Sequence, residues 1–396
     1  MNGKGFHRIL AGAALSLLLV CPAFGAAKFH IGVMTPTVSQ AEDNVRGAET
    51  LMAKYGNADK GGMIKHITHP DNFMSEMETV ISQIVGLADD PLMKVIVVNQ
   101  AIPGTTEAFR RVKEKRKDIL CFAGEAQEDP AVIASAADLS VSQDFLSMGY
   151  IMVLAAKKMG ADTYVHISFP RHMSYELLSR RRKILEQTCK DLGMKFVFET
   201  APDPTSDVVV AGAQQYVLEK VPAWLAKYGK KAAFFSTNNA QVEPLLRRIA
   251  ELGGFYVQTD SPLQGYPGAF GIDLSKQKGN FPAILKKIEQ AVAARGGSGR
   301  LATWPYASGY AITAGLGEFG KRVVEGKARL GNFRHLMQAL DAVSPGIAWN
   351  GSLYTDVATG VKTRNFVLVY QDTYVLGKGR LGLDKASVPQ KIYRIK

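Results

Sequence analysis

The chain has 396 residues, of which 46% are hydrophobic and 21% charged, and it contains 38 glycines, 17 prolines and 3 cysteines. These proportions exclude a disordered, a collagen-like or a disulfide-stapled protein, and the length suggests two or three compact units of about 150 residues each. The formal net charge of +12 at pH 7 favours contacts with anionic membranes or partners and raises the question of nucleic-acid binding.

The first 25 residues have the pattern of a secretory signal peptide. Basic residues precede an uncharged apolar run over 9–20, and the tripeptide at 23–25 places small residues three and one positions before a cut. The apolar run is shorter than the roughly 20 residues that a membrane-spanning helix needs. We therefore predict cleavage after Gly25 and a periplasmic product. Lipid attachment at Cys21 is the alternative, which Val20 disfavours because a small residue normally precedes a lipidated cysteine.

From residue 29 onward, short apolar runs alternate with stretches of helical period. The run Val95–Val98 is apolar on both faces, as expected for a parallel strand that helices cover on both sides. A stretch with one apolar stripe follows Ser75 and Glu78, whose spacing predicts a capping box. This alternation predicts an α/β fold with doubly wound parallel sheets. The predicted strands are 29–34, 63–68, 95–99, 119–123, 163–168, 194–199, 231–236 and 254–258.

So many strand and helix units would make one open sheet unusually wide, so we predict two lobes. Irregular stretches at 140–144, 295–300 and 344–346 predict three crossings between the lobes, which together form a three-segment hinge. The last apolar runs, 366–370 and 373–376, are expected to pair as a hairpin. The predicted lobe one comprises 26–143 and 303–345, and lobe two comprises 144–302 and 346–396, after a signal peptide over 1–25.

Two basic clusters, 110–117 and 180–183, contribute much of the positive charge. Both fall on predicted helices of an exported chain, so we interpret them as solvated faces and predict no nucleic-acid partner. The cysteines outside the signal peptide are Cys121, at the end of a strand in lobe one, and Cys189, in a helix of lobe two. We therefore predict two buried free thiols rather than a disulfide.

Several motifs suggest chemistry but lack the context that the chemistry needs. The segment 315–320 matches GxGxxG inside a predicted helix, and 377–382 matches it with no helix to follow, so neither predicts a dinucleotide site and the second is expected to be a loop. His66 and His69, with Asp71 nearby, do not have a diagnostic metal spacing. We predict no metal, no cofactor and no enzymatic activity.

Five stretches carry a resemblance to a known family. They are a strand and helix over 29–55, the strand 163–168, the segments 231–239 and 265–270, and the segment 349–360, in which Trp-Asn-Gly precedes Thr-Asp and a glycine. Their order resembles that of type 1 periplasmic solute-binding proteins, particularly those like the leucine/isoleucine/valine-binding proteins. The resemblance covers nearly the whole mature chain. It implies a monomer that captures a small polar solute by hinge closure and delivers it to a membrane permease complex.

In open α/β sheets, ligands bind beyond the carboxyl ends of the strands. The loops predicted at those ends are rich in hydroxyls, amides and aromatic rings, although each such residue could instead cap a helix or edge the core. Arg171 is the most informative candidate, because a positive charge at a helix start opposes the helix dipole unless it binds an anion; an exposed, snorkelling arginine is the alternative. The candidate ligand-binding residues are Thr35, Ser39, Gln40, Asp71, Asn99, Gln100, Glu125, Phe169, Arg171, Thr237, Asn238, Tyr266 and Trp304.

Two other functions fit the same predicted fold. A ligand-sensing co-receptor for a membrane signalling protein would use the same cleft without a transporter. A hydrolase acting in the cleft would need a base or metal with a shifted pKa. The loop composition suits amino acids, nucleosides, sugars and small carboxylates about equally, so it does not identify the solute.

Overall fold

A computed structural model describes residues 27–257, 260–277 and 279–396. The predicted signal peptide and Cys21 lie outside the described residues. The strands are β1 (His30–Thr35), β2 (Ile64–Thr68), β3 (Met93–Asn99), β4 (Leu120–Gly124), β5 (Leu139–Gln143), β6 (Thr163–Ser168), β7 (Lys195–Thr200), β8 (Ala232–Ser236), β9 (Phe255–Val257), β10 (Leu301–Thr303), β11 (Asn350–Thr355), β12 (Lys362–Tyr370), β13 (Tyr374–Val375) and β14 (Gly379–Arg380). The helices are α1 (Val38–Tyr55), α2 (Met77–Gly86), α3 (Thr105–Lys115), α4 (Pro130–Ala134), α5 (Phe145–Met159), α6 (Pro170–Ser174), α7 (Glu176–Asp191), α8 (Val209–Tyr228), α9 (Val242–Leu252), α10 (Tyr266–Phe270), α11 (Phe281–Ala293), α12 (Ser308–Val324) and α13 (Phe333–Val343).

The strands form two seven-stranded sheets. Sheet one has the order β11-β12-β5-β4-β3-β1-β2, and sheet two has the order β14-β13-β10-β9-β8-β6-β7. Pairing is parallel from β2 through β12 in sheet one and from β7 through β10 in sheet two, with antiparallel strands at one edge of each. The predicted fold class, two doubly wound α/β lobes joined by three crossings, is confirmed.

The third crossing lies elsewhere than predicted. The chain leaves sheet one after β5, returns from sheet two after β10, and crosses again between β12 and β13. β12 pairs with β5 in sheet one, whereas β13 pairs with β10 in sheet two, so the predicted hairpin over 366–376 is wrong. The segment 350–370 also belongs to sheet one, because β11 pairs with β12 and β12 pairs with β5. The predicted boundary at 346 placed this segment in lobe two.

The residues interpreted as a hairpin turn are a buried part of this crossing. Gln371, Asp372 and Thr373 are all buried. The Gln371 amide donates to the Tyr306 carbonyl oxygen at 3.1 Å, and its Oε1 accepts from the Tyr306 N–H at 3.2 Å. This pair joins the second and third crossings. A tight-turn pattern in sequence cannot reveal such a tie, because its partner lies far away in the chain.

The two basic clusters have different environments. Residues 110–117 form ion pairs at the surface, such as Lys115 with Asp89 and Arg116 with Asp118, which agrees with a solvated face. Arg180 and Arg181 are instead only 2% and 3% exposed, so the interpretation of 180–183 as a solvated face is wrong. Helix α7 packs against α5, and these two arginines lie on its inner face.

Two local predictions need correction and two are confirmed. Ser75 donates to the Asn72 carbonyl oxygen, and α2 begins at Met77 without a side-chain cap, so the predicted capping box does not form. The predicted loop over 377–382 contains β14, which pairs with β13. Cys121 and Cys189 are buried free thiols, as predicted, and burial raises the pKa of each to about 12. The first GxGxxG segment lies inside α12.

The glycines of α12 let this helix approach its neighbours closely. A Cβ atom at Gly317 would lie 2.4 Å from Leu51 of α1, and one at Gly320 would lie 2.7 Å from Val95 of β3. Helix α12 therefore lies directly against α1 and sheet one. Its first turn is thereby fixed beside the first turns of α1, which contribute to the site described below.

Gly47 of α1 is required for the same approach. A methyl group there would lie 2.6 Å from the Tyr310 carbonyl oxygen and 2.8 Å from the Thr313 Cβ. Backbone cannot yield without separating α1 from α12, so we expect Gly47→Ala to lower the free energy of unfolding by about 1–3 kcal/mol in urea titrations. Gly86→Ala on α2, where an added methyl group meets nothing within 4 Å, is the control and should be neutral or stabilising. Equal stabilities of the two variants would contradict this packing.

Candidate functional site

Glu125 follows β4 at the carboxyl end of sheet one. It has φ 48°, and among the described residues only Val209 shares a positive φ without being glycine. Such a conformation is unfavourable for a side-chain-bearing residue and is often retained at binding sites. Its carboxyl group accepts from the Asn44 Nδ2 at 3.1 Å, the Gln143 Nε2 at 3.1 Å and the Ser308 Oγ at 3.0 Å. Three separate elements therefore fix the position of this carboxyl group.

Asp43 lies beside Glu125 because α1 is kinked. Ala41 has φ −154° and ψ 87°, so the regular turns of the helix begin after it, with Asp43 in the first turn. Asp43 is 4% exposed and accepts from the backbone N–H groups of Asn44 and Gly309. A Cβ atom at Gly309 would lie 2.8 Å from the Asp43 Oδ2, so only glycine allows this approach.

Asp260 brings a third carboxyl group, from sheet two. It follows β9, and its carbonyl oxygen accepts from the Ser308 N–H at 2.7 Å. Ser308 thus bonds Asp260 through its backbone and Glu125 through its hydroxyl group. The Asp260 Oδ1 is buried and has no hydrogen-bond partner among the described residues. We call Asp43, Glu125 and Asp260 the carboxylate cluster; it joins elements of both sheets at the first turn of α12.

The pKa of each member of the carboxylate cluster is raised. Burial is the main cause, and it brings the pKa of Asp43 to about 6, that of Asp260 to about 7 and that of Glu125 to about 8. The charge of Asp43 further raises the pKa of Glu125 and of Asp260, while hydrogen bonds from Asn44 and Ser308 lower that of Glu125. At neutral pH the cluster therefore retains protons that isolated carboxyl groups would have lost.

Arg181 is the basic group that acts on this cluster. It is 3% exposed, and its guanidinium carbon lies 4.7 Å from the Phe145 ring centroid and 4.8 Å from that of Phe235. Its charge lowers the pKa of Asp260, while burial lowers its own pKa to about 10. Its Nε has no hydrogen-bond partner within the part of the chain that the structure describes. The two rings thus hold a buried cation with an unused donor.

Arg171 lies in a second polar group, at the carboxyl end of sheet two. Its guanidinium donates to both carboxylate oxygens of Asp203, at 2.7 and 3.0 Å. His172 packs on Phe169 with ring centroids 4.2 Å apart and bonds Thr237 at 3.0 Å, and burial with the charge of Arg171 lowers the pKa of His172 to about 3. The arginine whose position suggested an anionic ligand is thus neutralised by a carboxylate of the protein itself.

The other predicted binding residues have varied positions. Asn99 lies close to the surroundings of Glu125. It donates to the Gly309 carbonyl oxygen at 3.1 Å and touches Gly124. Trp304 and Tyr266 are buried, the first against Trp349 and the second bonded to the Ala302 carbonyl oxygen. Four of the rest form hydrogen bonds within the protein: Thr35 with His66, Gln100 with Gln127, Asn238 with the Ala240 N–H and Asp71 with Thr37. Gln40 is exposed, and Ser39 lies in the first turn of α1.

Sequence reasoning selected Glu125 but missed most of its surroundings. Asp260 lies two residues after the predicted strand 254–258, and the strand-end rule that selected Glu125 would have found it. Asp43 looked like an ordinary residue of a helix start, and the kink at Ala41 that turns it inward has no sequence signal. Arg181 belongs to the basic run 180–183, which was interpreted as a solvated face. The residues missed are Asp43, Asn44, Gln143, Arg181, Asp260 and Ser308.

Other kinds of site find no support in the described residues. No group of three or more His, Cys, Asp or Glu side chains there is arranged to hold a metal ion. No described helix is long and apolar enough to cross a membrane. Surface cavities of about 300 and 590 Å³ are lined by other residues, such as Arg247 with Arg295 and Lys183 with Phe196. The carboxylate cluster is therefore the strongest candidate site.

Solved structures with the same architecture are binding proteins and a regulator. A protein described as a transcriptional regulator from Clostridium difficile 630 matches with a TM-score of 0.74 and 24% identity over 88% of this chain and 99% of its own. A sugar ABC transporter protein from Actinomyces odontolyticus matches with a TM-score of 0.53 and 10% identity, over 92% of this chain and 99% of its own. A periplasmic solute-binding protein from Actinobacillus succinogenes with bound D-allose matches with a TM-score of 0.52 and 12% identity, over 76% of this chain and 93% of its own. The chain has the type 1 periplasmic-binding-protein fold.

Sequence relatives come from Treponema pallidum (strain Nichols). One uncharacterized protein is 45% identical over 178 residues, which are 44% of this chain and 80% of that protein. A second is 38% identical over 218 residues, which are 55% of this chain and all of that protein. A family model described as "Protein of unknown function (DUF3798)" matches residues 29–302, which is more than half of the chain. The chain therefore belongs to the DUF3798 family.

Proposed function

We propose that this protein is an exported, non-enzymatic binding protein that captures a small polar solute between two lobes. The carboxylate cluster carries the proposal, because polar groups from both sheets meet there around the first turn of α12. The proposed lobes comprise 27–143 with 304–370 and 144–303 with 371–396, following sheet membership. The proposed partner is a membrane permease complex, to which the monomer delivers the solute. Export depends on the signal peptide predicted over 1–25.

Hinge closure is the proposed mechanism of capture. A solute that touches Glu125 on one lobe and Asp260 on the other binds the closed arrangement more tightly than an open one, and this difference in affinity drives closure. A tenfold preference for the closed state needs only about 1.4 kcal/mol. The hydrogen bonds between Gln371 and Tyr306 keep two hinge segments together while the lobes move.

The finer resemblance to leucine/isoleucine/valine-binding proteins stays part of this proposal. The similarity to a sugar ABC transporter protein and to a protein with bound D-allose supports a small polar solute in general. Raised carboxyl pKa values also occur in enzymes, so a test for turnover belongs to the experiment.

A thermal-shift screen of small metabolites tests the proposal. A solute at 100 times its dissociation constant should stabilise the protein by about 2.7 kcal/mol, and the small-angle scattering radius of gyration should decrease. Glu125→Gln should remove most of the shift, because its amide cannot accept from Asn44, Gln143 and Ser308 in the same way. Glu78→Gln, at a carboxylate that is 77% exposed, is the matched control and should bind as the original protein does. Stabilisation without a smaller radius, or turnover of the bound solute, would contradict the proposal.

A further inference from the structure

We infer that the solute is a small organic cation whose ammonium or amidinium N–H groups donate to Asp43, Glu125 and Asp260. This inference rests on the proposed function and names the chemical class of the solute. The proposal places the positive charge of the solute between the two sheets, at the first turn of α12.

One carboxylate oxygen of the cluster differs from those of the other buried carboxylates in the described ranges. Glu318 forms ion pairs, whereas Asp144 and Asp372 have both oxygens satisfied by hydrogen bonds from the protein. The Asp260 Oδ1 is instead buried without a hydrogen-bond partner. Buried polar atoms are normally satisfied. An N–H donor on the solute would supply the missing partner.

Unused hydrogen-bonding capacity is found in the cluster and on Arg181, whose charge acts on Asp260. The Nε of Arg181 and the Oδ1 of Asp260 are both buried without a partner among the described residues. The Phe145 and Phe235 rings flank the guanidinium, and its charge lowers the pKa of Asp260 without an ion pair between the two side chains. Buried polar atoms are nearly always satisfied when a binding site is occupied. A solute with an N–H donor and a neighbouring oxygen acceptor would satisfy both atoms.

Charge favours an organic cation over other solutes. When ionised, the three carboxyl groups exceed the charge of Arg181, and at neutral pH bound protons offset this excess. A cationic solute replaces those protons with its own positive charge, whereas a neutral polyol does not. A metal ion needs several ligands in close geometry, and no described group of acidic or histidine side chains provides it. A protonated amine or guanidine needs only convergent acceptors.

Proton release should accompany binding. The titratable groups that act on the cluster are Glu42, which raises the pKa of Asp43, Arg181, which lowers that of Asp260, and Tyr256, whose own pKa is raised in part by Asp260. A bound cation favours the ionised carboxylates, so protons leave as the solute binds. The affinity for a cation should therefore rise between pH 6 and pH 8, the range in which Asp43, Asp260 and Glu125 titrate.

Isothermal titration calorimetry with defined probes tests the inference. The amine probes are 1,4-diaminobutane, ethanolamine, L-lysine and L-arginine, and the neutral probes are D-ribose, D-glucose and adenosine. At least one amine probe should bind tenfold or more tightly than every neutral probe. In buffers of different ionisation enthalpy, its binding at pH 7 should release protons. Asp260→Asn should weaken this binding tenfold or more, whereas the exposed control Asp118→Asn should not change it.

The outcomes separate the two levels of the proposal. Tight binding of a neutral probe with lobe closure, or binding of Mg²⁺ or Ca²⁺ alone, would overturn the cation inference and leave the solute-binding function intact. Uptake of protons on amine binding would also overturn it. Failure of every metabolite in the wider screen to close the lobes would overturn the solute-binding function itself. Unfolding of Asp260→Asn is monitored by circular dichroism, and the proton release of the unmodified protein remains an independent test.

Discussion

The contribution of the carboxylate cluster to the stability of the solute-free protein should fall by about 3 kcal/mol as the pH rises from 6.5 to 8.5. Burial raises the pKa of Glu125 from 4.5 to about 8 and that of Asp260 from 3.8 to about 7. A carboxyl group whose pKa is higher in the folded state binds more protons there, so its stabilising contribution is complete below the unfolded value and disappears as the pH passes the folded value. Integration over this range, at about 1.4 kcal/mol for each pKa unit, gives the expected loss.

Four histidines oppose part of this loss. Burial lowers the pKa of His66, His69, His166 and His172. Groups of this kind make stability rise with pH until the unfolded imidazole is neutral, about one unit above its pKa of 6.5, so each adds up to about 0.4 kcal/mol above pH 6.5. The net loss of the solute-free protein over this range is therefore about 1 kcal/mol. Urea titrations at intervals of half a pH unit measure it.

A variant with all three carboxyl groups of the cluster replaced provides the control for this prediction. Asp43→Asn, Glu125→Gln and Asp260→Asn together remove the titrating carboxyl groups, so its stability should no longer fall between pH 6.5 and 8.5 and should rise slightly as the unfolded histidines become neutral. The same loss in the variant as in the original protein would show that other groups cause the slope. Stability that rises with pH in the original protein would contradict the raised pKa values.

Replacement of Arg180 by methionine should cost about 3–5 kcal/mol of unfolding free energy. Arg180 donates to Glu176 at 2.8 Å and to the carbonyl oxygens of Tyr393 and Ile395, each at 3.0 Å. Glu176 also accepts from the Tyr354 hydroxyl of β11. The arginine thus ties α7 to the C-terminal segment and, through Glu176, to sheet one. Methionine fills similar volume but leaves these acceptors unpaired.

Lys190→Met is the matched control for this substitution. Lys190 is an exposed residue of the same helix, so its replacement removes a positive charge without exposing or burying an acceptor and should change stability by less than about 0.5 kcal/mol. Chemical denaturation of both variants at pH 7 makes the comparison. A loss below 1 kcal/mol for Arg180→Met would mean that the C-terminal segment does not depend on this contact.

The sequence was sufficient for the architecture because its signals are local. The apolar run Val95–Val98 predicts a strand covered on both faces, and the strand Thr163–Ser168 was predicted with its observed bounds. The third crossing was misplaced because Gln371 and Asp372 look like a surface turn. Their burial depends on contacts with Tyr306, Gly382 and other distant residues.

The site was only partly predictable for the same reason. Glu125 follows a strand end, which a sequence can show, whereas its positive φ and its bonds to Asn44 and Ser308 depend on the approach of α1 and α12. Arg181 was interpreted as solvated because a basic run usually is. Its burial between Phe145 and Phe235 is a tertiary property that no local pattern encodes.

A crystal structure of the protein with a bound amine solute is the most direct test of the account. It should show the solute nitrogen within about 3.2 Å of a carboxylate oxygen of Glu125 on one lobe and of Asp260 on the other. A solute bound to residues of a single sheet, or held at Arg171 and Asp203 instead, would contradict the account.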